Sequence, residues 1–377
     1  MRLVLLSVAL AVSVSSPARA EDQAHDFLPE ARTLLVVGAC AEGSAPGVDA
    51  EIVAAHCKKV RAAQAEYQQS WVTPAREFFT AHVPASIPRT VVYPFAGGDL
   101  STALTVFPDA DEITTLSLEP AGDPTALARL SGKQLTTALG VVATELGSLY
   151  RASFSVTMNM IGAMRGGELP TQLIFSLSAL ALHGYEPTAL RYFKLAPDGS
   201  IAYLTDADVA RLAKLTDVSR RNRAYANIEL RFKKPGGREQ IYRHIQANLD
   251  DAHLKADPAA LRHLEAKGDV AAMTKAASYL LTFDEFKTMR GYVIKHVRWM
   301  VSDTTGLPPS HGTPAGFAYE TYGTFGQPNM NAGLSVAPEW RKLYAAQEAR
   351  PLAFRFGYPD KKLHGHLIIM TKTPPAR

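Results

Sequence analysis

Residues 89–120 constrain the fold more than any other stretch of this chain. Thr90 to Phe95 is rich in β-branched and aromatic residues and reads as a strand. Ala96-Gly97-Gly98-Asp99 is a turn, and Leu100 to Phe107 reads as a short helix. Pro108-Asp109-Ala110-Asp111 makes a second turn, and Ile113 to Leu118 is a second strand that ends at Glu119-Pro120. Strand, glycine turn, helix, strand and acid make the first half of a doubly wound α/β sheet. Composition agrees: with 47% hydrophobic and 20% charged residues the chain can bury a large core, and disorder is not expected.

The remaining elements are read from periodicity. Leu34 to Val37 suggests a short strand, and Asp49 to about Thr80 a helix broken near Pro74. Gly132 to Arg151 and Leu169 to His183 are apolar helices, the second opened by Pro170. Thr188 to Leu195 and Ile201 to Leu204 read as strands, and Asp206 to Leu215 as a short helix. Asn227 to Lys234 alternates as a half-buried strand does. Helices are expected at Arg238 to Leu249, Pro258 to Ala266, Val270 to Thr282, Phe283 to Ser302 and Trp340 to Gln347. Residues 305–336 read as a long surface loop. Leu352 to Phe356 and His364 to Thr371 read as a terminal hairpin. The expected architecture is α/β. A Rossmann-like core over 89–235 follows an N-terminal segment over 21–88. A helical part over 236–377, with the long loop and the terminal β-hairpin, packs on that core.

The first twenty residues have the order of a secretory signal peptide. Arg2 precedes the apolar run Leu3 to Val14, and Ala18-Arg19-Ala20 places small residues before Glu21. The run is shorter than the roughly twenty residues a spanning helix needs, so no stable membrane insertion is expected. The expected location is periplasmic or secreted. Cys40 and Cys57 are the two cysteines, and in an oxidising compartment a disulfide is the simplest reading, with buried thiols the alternative. Arg2 and Arg19 supply two of the +4 formal charge, which leaves +2 without the leader. So small an excess gives no reason to expect a nucleic-acid partner.

Tyr93-Pro94-Phe95-Ala96-Gly97-Gly98-Asp99 is the best candidate for chemistry. Glycines after a strand let a ligand approach the backbone, and Glu119 at the end of the next strand can accept hydrogen bonds from a ribose-like diol. Tyr93, Phe95, Gly97, Gly98, Asp99 and Glu119 are therefore the candidate ligand-binding residues. Over about thirty residues this stretch resembles the cofactor loop of Rossmann-type methyltransferases. The likeness is closest to the Asp-Pro-Phe-x-Gly-Ser-Gly form in DNA methyltransferases. Tyr93 stands where that family has an acid, Asp99 stands where it has a glycine, and the Asp-Pro-Pro-Tyr or Asn-Pro-Pro-Tyr motif is absent. The chain is also similar, over most of residues 35–330, to a group of exported bacterial proteins of unassigned function. That likeness rests on the 93–99 segment, Ser117-Leu118-Glu119-Pro120, Lys275-Ala276-Ala277-Ser278-Tyr279-Leu280 and Asp303-Thr304-Thr305-Gly306-Leu307-Pro308.

Other motifs are thin. His364 and His366 point to one face of a strand, and with His311 or Asp303 they are weak metal candidates. His-Glu-x-x-His, Gly-x-Ser-x-Gly and a Walker A loop are absent, which leaves zincin, α/β-hydrolase and P-loop readings without a motif. The basic run Arg220, Arg221, Arg223, Arg231, Lys233, Lys234, Arg238 and Arg243 is diluted by Asp217, Glu229 and Glu239 and reads as a solvated face. The expected function is an exported protein that binds a small ligand or an envelope partner through a relic methyltransferase-like cleft, with no cofactor. The alternative is an exported enzyme that uses the carboxylates Asp99 and Glu119.

Overall fold

The structure, a computed structural model, describes residues 23–152, 168–326, 336–358 and 365–373. The strands are β1 (Thr90–Tyr93), β2 (Glu112–Ser117), β3 (Glu186–Leu195), β4 (Ile201–Tyr203), β5 (Asn227–Lys233), β6 (Gln240–Gln246), β7 (Val270–Thr274), β8 (Val297–Ser302), β9 (Phe317–Gly323) and β10 (His366–Lys372). They form one mixed sheet in the order β4-β3-β5-β6-β2-β1-β7-β8-β10-β9. The central block β6-β2-β1-β7-β8 is parallel, and β10 runs against both β8 and β9. The five parallel strands therefore end at one edge of the sheet, and β9 ends there too.

The sheet separates two cores. Helices α1 (Leu28–Val37), α2 (Ala50–Tyr67), α3 (Thr73–His82), α4 (Leu100–Val106), α5 (Gly132–Ala152) and α6 (Thr171–Leu182) contribute to the first. Helices α7 (Lys287–His296) and α8 (Ala337–Ala345) contribute to the second. β1 shows the division: Val91 and Tyr93 face the first core and Val92 the second, as the two-residue period of a strand requires. Among the described residues no helix is long and apolar enough to cross a membrane. The signal-like residues 1–20 lie outside the described residues.

The 89–120 unit forms as expected, but several neighbouring elements differ. Leu34 to Val37 is the end of helix α1, where Ala31, Leu34 and Val37 are buried at helical spacing. The long N-terminal helix is not broken at Pro74. Pro74 sits in the first turn of α3, where a missing N–H is tolerated, and a π turn at Gln68–Val72 joins α2 to α3. The C-terminal part is not helical overall: β6 to β10 belong to the same sheet as β1 and β2. β6 lies where a helix was expected because its inward side chains are polar, Gln240, Tyr242 and His244 being buried. β7 is buried at every residue, so it shows no period-two pattern. β8 follows α7 without a connecting residue, which merges the two into one apolar run. β9 lies within the expected loop. Residues 352–356 carry no strand, and β10 pairs with β8 and β9 instead.

Ion pairs take up part of the basic run. Glu229, fully buried, accepts from Tyr203 at 2.7 Å, Arg231 at 3.0 Å and Arg243 at 2.9 Å. Arg238 pairs with Asp111, and Glu112 pairs with both Arg243 and Lys267. Burial alone raises the Glu112 carboxyl, but Lys267 and Arg243 outweigh it and hold it down to about 2. A depressed carboxyl stabilises the fold above its unfolded pKa, and that gain is lost as pH falls toward its folded value. Glu112→Gln should therefore lower the melting temperature at pH 7, and the gap to wild type should shrink as pH falls below about 4.5. A gap independent of pH would assign Glu112 a packing role only.

Cys40 and Cys57 are joined as a disulfide, tying the end of α1 to α2 across 17 residues of sequence. Closing a loop of this size is worth about 3 kcal/mol. Reduction should shift the urea midpoint down by a corresponding amount, and an unchanged midpoint would show that the bridge contributes nothing.

Candidate functional site

The chain runs outward from β1 to β2 and β6 on one side, then returns to β7 and β8 on the other. Strand order reverses between β1 and β7. The crevice outside the carboxyl ends at such a reversal is where open α/β sheets receive ligands. Every candidate residue of the 93–99 segment lies here.

Tyr93 closes β1, and the chain then turns through Phe95 at φ 60° and Gly97 at φ 54°. Asp99 caps α4: its Oδ1 accepts from the Thr102 amide at 3.3 Å and the Thr102 hydroxyl at 2.8 Å. The Tyr93 hydroxyl donates to Asp99 Oδ2 at 3.2 Å. Burial, and then the Asp99 carboxylate, push the Tyr93 phenol well above its ordinary pKa. The start of α4 is thus filled by the protein's own carboxylate, so it offers no vacancy to a phosphate.

That carboxylate is matched by a lysine. Lys275 follows β7 directly, and its Nζ lies 2.6 Å from Asp99 Oδ2 and donates to the Thr102 hydroxyl. The two side chains are 0% and 1% exposed. Burial pulls the Lys275 pKa down, and Asp99 opposes that shift. The ammonium also lies over the rings of Trp71 at 5.0 Å and Phe356 at 5.7 Å. Lys275 stood in the sequence as part of a family-like segment without a role. Reading residues 270–274 as a buried strand would have placed it at the strand's end.

Backbone strain gathers at the same place. Ala276, Ser278 and Tyr279, after β7, have φ of 52°, 50° and 59°. With Phe95 they make four of the five non-glycine residues of positive φ among the described residues. Each such residue costs of order 1–3 kcal/mol, and strain of this kind concentrates at functional sites. Asp303, after β8, holds the loop in shape. Its Oδ2 accepts from the amides of Ala276 at 3.0 Å and Tyr358 at 3.1 Å, and its Oδ1 accepts from Thr305 N at 2.9 Å. Gly357 permits that approach, since a Cβ there would lie 2.1 Å from the Asp303 carboxylate.

Glu119 behaves differently from Asp99. It is fully buried after β2, and among the described residues neither carboxyl oxygen has a hydrogen-bond partner. Its backbone oxygen accepts from His244 Nε2 at 2.7 Å. Burial lowers the His244 pKa to about 4, so the ring is neutral at pH 7. Gln172 Nε2 lies 3.4 Å from His244 Nδ1 and donates to the Gly97 carbonyl at 3.1 Å, while Gln172 Oε1 is also unpartnered. Apolar side chains follow β1 and β2 and precede α7. Phe95 meets Phe286 edge-on at 5.6 Å, and Leu118 and Phe283 are 44% and 42% exposed.

Among the described residues His366, His311 and Asp303 form no set of three metal-type ligands. His364 lies outside the described residues, and His366 is buried with Nε2 2.9 Å from the Thr304 hydroxyl. Among the described residues the one set of three metal-type ligands is Cys40, His56 and Cys57, whose sulfurs are spent on the disulfide. No family model, curated protein or solved structure matches the chain.

Removing one member of a buried ion pair strands the other charge and costs about 3–5 kcal/mol. Asp99→Asn should lower unfolding stability by that order, and adding Lys275→Met should recover part of the loss. A double-mutant cycle in urea checks this, and additive losses would show that the pair is not coupled.

Proposed function

We propose that this protein binds a small ligand bearing vicinal hydroxyls, of nucleoside type, in a methyltransferase-like cleft at the carboxyl ends of β1 and β2. The observation that carries the reading is Glu119. A buried carboxylate without a donor is costly, and a diol supplies two donors to its two free oxygens. The strand order supports the fold assignment. Numbered along the chain, the parallel strands read 3-2-1-4-5, as in doubly wound dinucleotide folds. The tight Phe95–Gly98 turn and the apolar edge of Phe95, Leu118 and Phe283 suit a flat ring beside the diol.

Binding is favoured over an enzyme that uses Asp99 and Glu119 as a catalytic pair. Asp99 is engaged by Lys275, Thr102 and Tyr93, which removes it as a free acid or base. We place the protein outside the cytoplasm, on the signal-like leader and the Cys40–Cys57 disulfide.

Glu119→Gln replaces a buried carboxyl that has no hydrogen-bond partner among the described residues, so the unliganded variant should melt at the wild-type temperature or above it. Adenosine and S-adenosylhomocysteine should raise the melting temperature of the wild type, and 2′,3′-dideoxyadenosine should not. Glu119→Gln should lose the response. A wild type indifferent to every nucleoside, or a variant that responds as the wild type does, would refute the diol reading.

A further inference from the structure

A cavity of about 950 Å³ opens near the sheet edge where β9 ends at Gly323 and β10 begins after Gly365. Tyr67, Trp71 and Tyr150 form its floor, and Arg151, Arg350 and Arg355 stand around it. The floor is a ladder of rings. Tyr67 stacks on Trp71 at 5.3 Å with the planes 6° apart, and on Tyr150 at 5.0 Å with the planes 25° apart. Trp71 belongs to the π turn Gln68–Val72. Such turns are rare, and they recur where a helix is reshaped for function. Lys275 Nζ lies over the Trp71 ring at 5.0 Å, so Trp71 touches both this floor and the Asp99–Lys275 pair.

The charge around the cavity is unbalanced. Among the described residues none of the three arginines has an ion-pair partner, and Glu66 is the one carboxylate in the lining. The guanidiniums are nonetheless positioned. Arg350 donates to Gln347 Oε1 at 3.1 Å and lies over the Tyr322 ring at 5.3 Å. Arg355 donates to the Arg151 carbonyl at 2.7 Å, which ties residues 350–356 to the end of α5. Planar guanidiniums pair in bidentate fashion with carboxylates and phosphates. Phe354 adds an apolar wall, edge-on to Trp71 at 5.9 Å.

We infer that this cavity is a binding site for a small organic anion, with a carboxylate or phosphate held by the arginines and an apolar, ring-bearing body on the tyrosine–tryptophan floor. This site is separate from the Glu119 cleft and does not depend on the diol reading.

Phenyl phosphate, benzoate and inorganic phosphate distinguish the parts of the proposal. Isothermal titration of the oxidised protein should show saturable binding of phenyl phosphate or benzoate, weakened by added salt. Trp71 is one of three tryptophans, so binding should also change the fluorescence of the wild type and not of Trp71→Phe. Arg151→Gln combined with Arg355→Gln alters two exposed side chains and gives up one surface hydrogen bond, so this variant should melt within a few degrees of the wild type. It should bind at least about tenfold more weakly. Glu119→Gln should bind as the wild type does. No saturable binding of either aromatic probe, or unchanged affinity in the double arginine variant, would overturn the site. Inorganic phosphate binding as tightly as phenyl phosphate would overturn the apolar half of the assignment.

Discussion

The pairing of Asp99 with Lys275 is the constraint on which the carboxyl edge of this sheet depends. It joins the loop after β1 to the loop after β7, across the point where strand order reverses. Two unpaired charges at 0% and 1% exposure are not tolerable in a protein interior, so each loop holds its conformation only while the other does. The positive-φ residues Phe95, Ala276, Ser278 and Tyr279 are the local cost of bringing those loops together. Asp303 and Gly357 extend the same tie to β8 and to residues 357–358.

Beneath the loops, the polar side chains of the parallel strands do related work. Thr115 lies 2.8 Å from the Tyr242 hydroxyl, which accepts from Ser176 of α6 at 3.4 Å. One register step further, His244 and Gln172 reach the Glu119 and Gly97 carbonyls. A helix bonded to a sheet through buried polar groups is held in one position, because sliding would leave several of them unsatisfied.

The same chemistry decided what could be read in the sequence. The 89–120 unit was legible because its strands are β-branched and its turns carry Gly, Pro and Asp at the ends. The helices α2, α5 and α6 were legible from length and apolar spacing. Strand β6 was hidden because Gln240, Tyr242 and His244 face inward, reversing the usual polar-out pattern. Strands β7 and β8 lie in the middle of the sheet, where burial on both faces removes any alternation. The candidate site followed suit. Residues next to the legible strands, Tyr93 to Asp99 and Glu119, could be proposed. Lys275 and Asp303 follow strands β7 and β8, so their place in the site was invisible until the sheet was complete.

The two carboxylates that look alike in sequence therefore have opposite physical standing. Asp99 has a cation, a hydroxyl, a phenol and an amide as partners, and its charge is spent inside the fold. Among the described residues Glu119 has none of these. General acid–base chemistry needs a group that can change protonation during a cycle, and a charge locked against Lys275 is poorly placed to do so. A fixed acceptor facing donors on a ligand needs no such change. On the proposed reading, the polar groups at this edge, paired at the strand reversal and unpaired at Glu119 among the described residues, serve recognition rather than proton transfer.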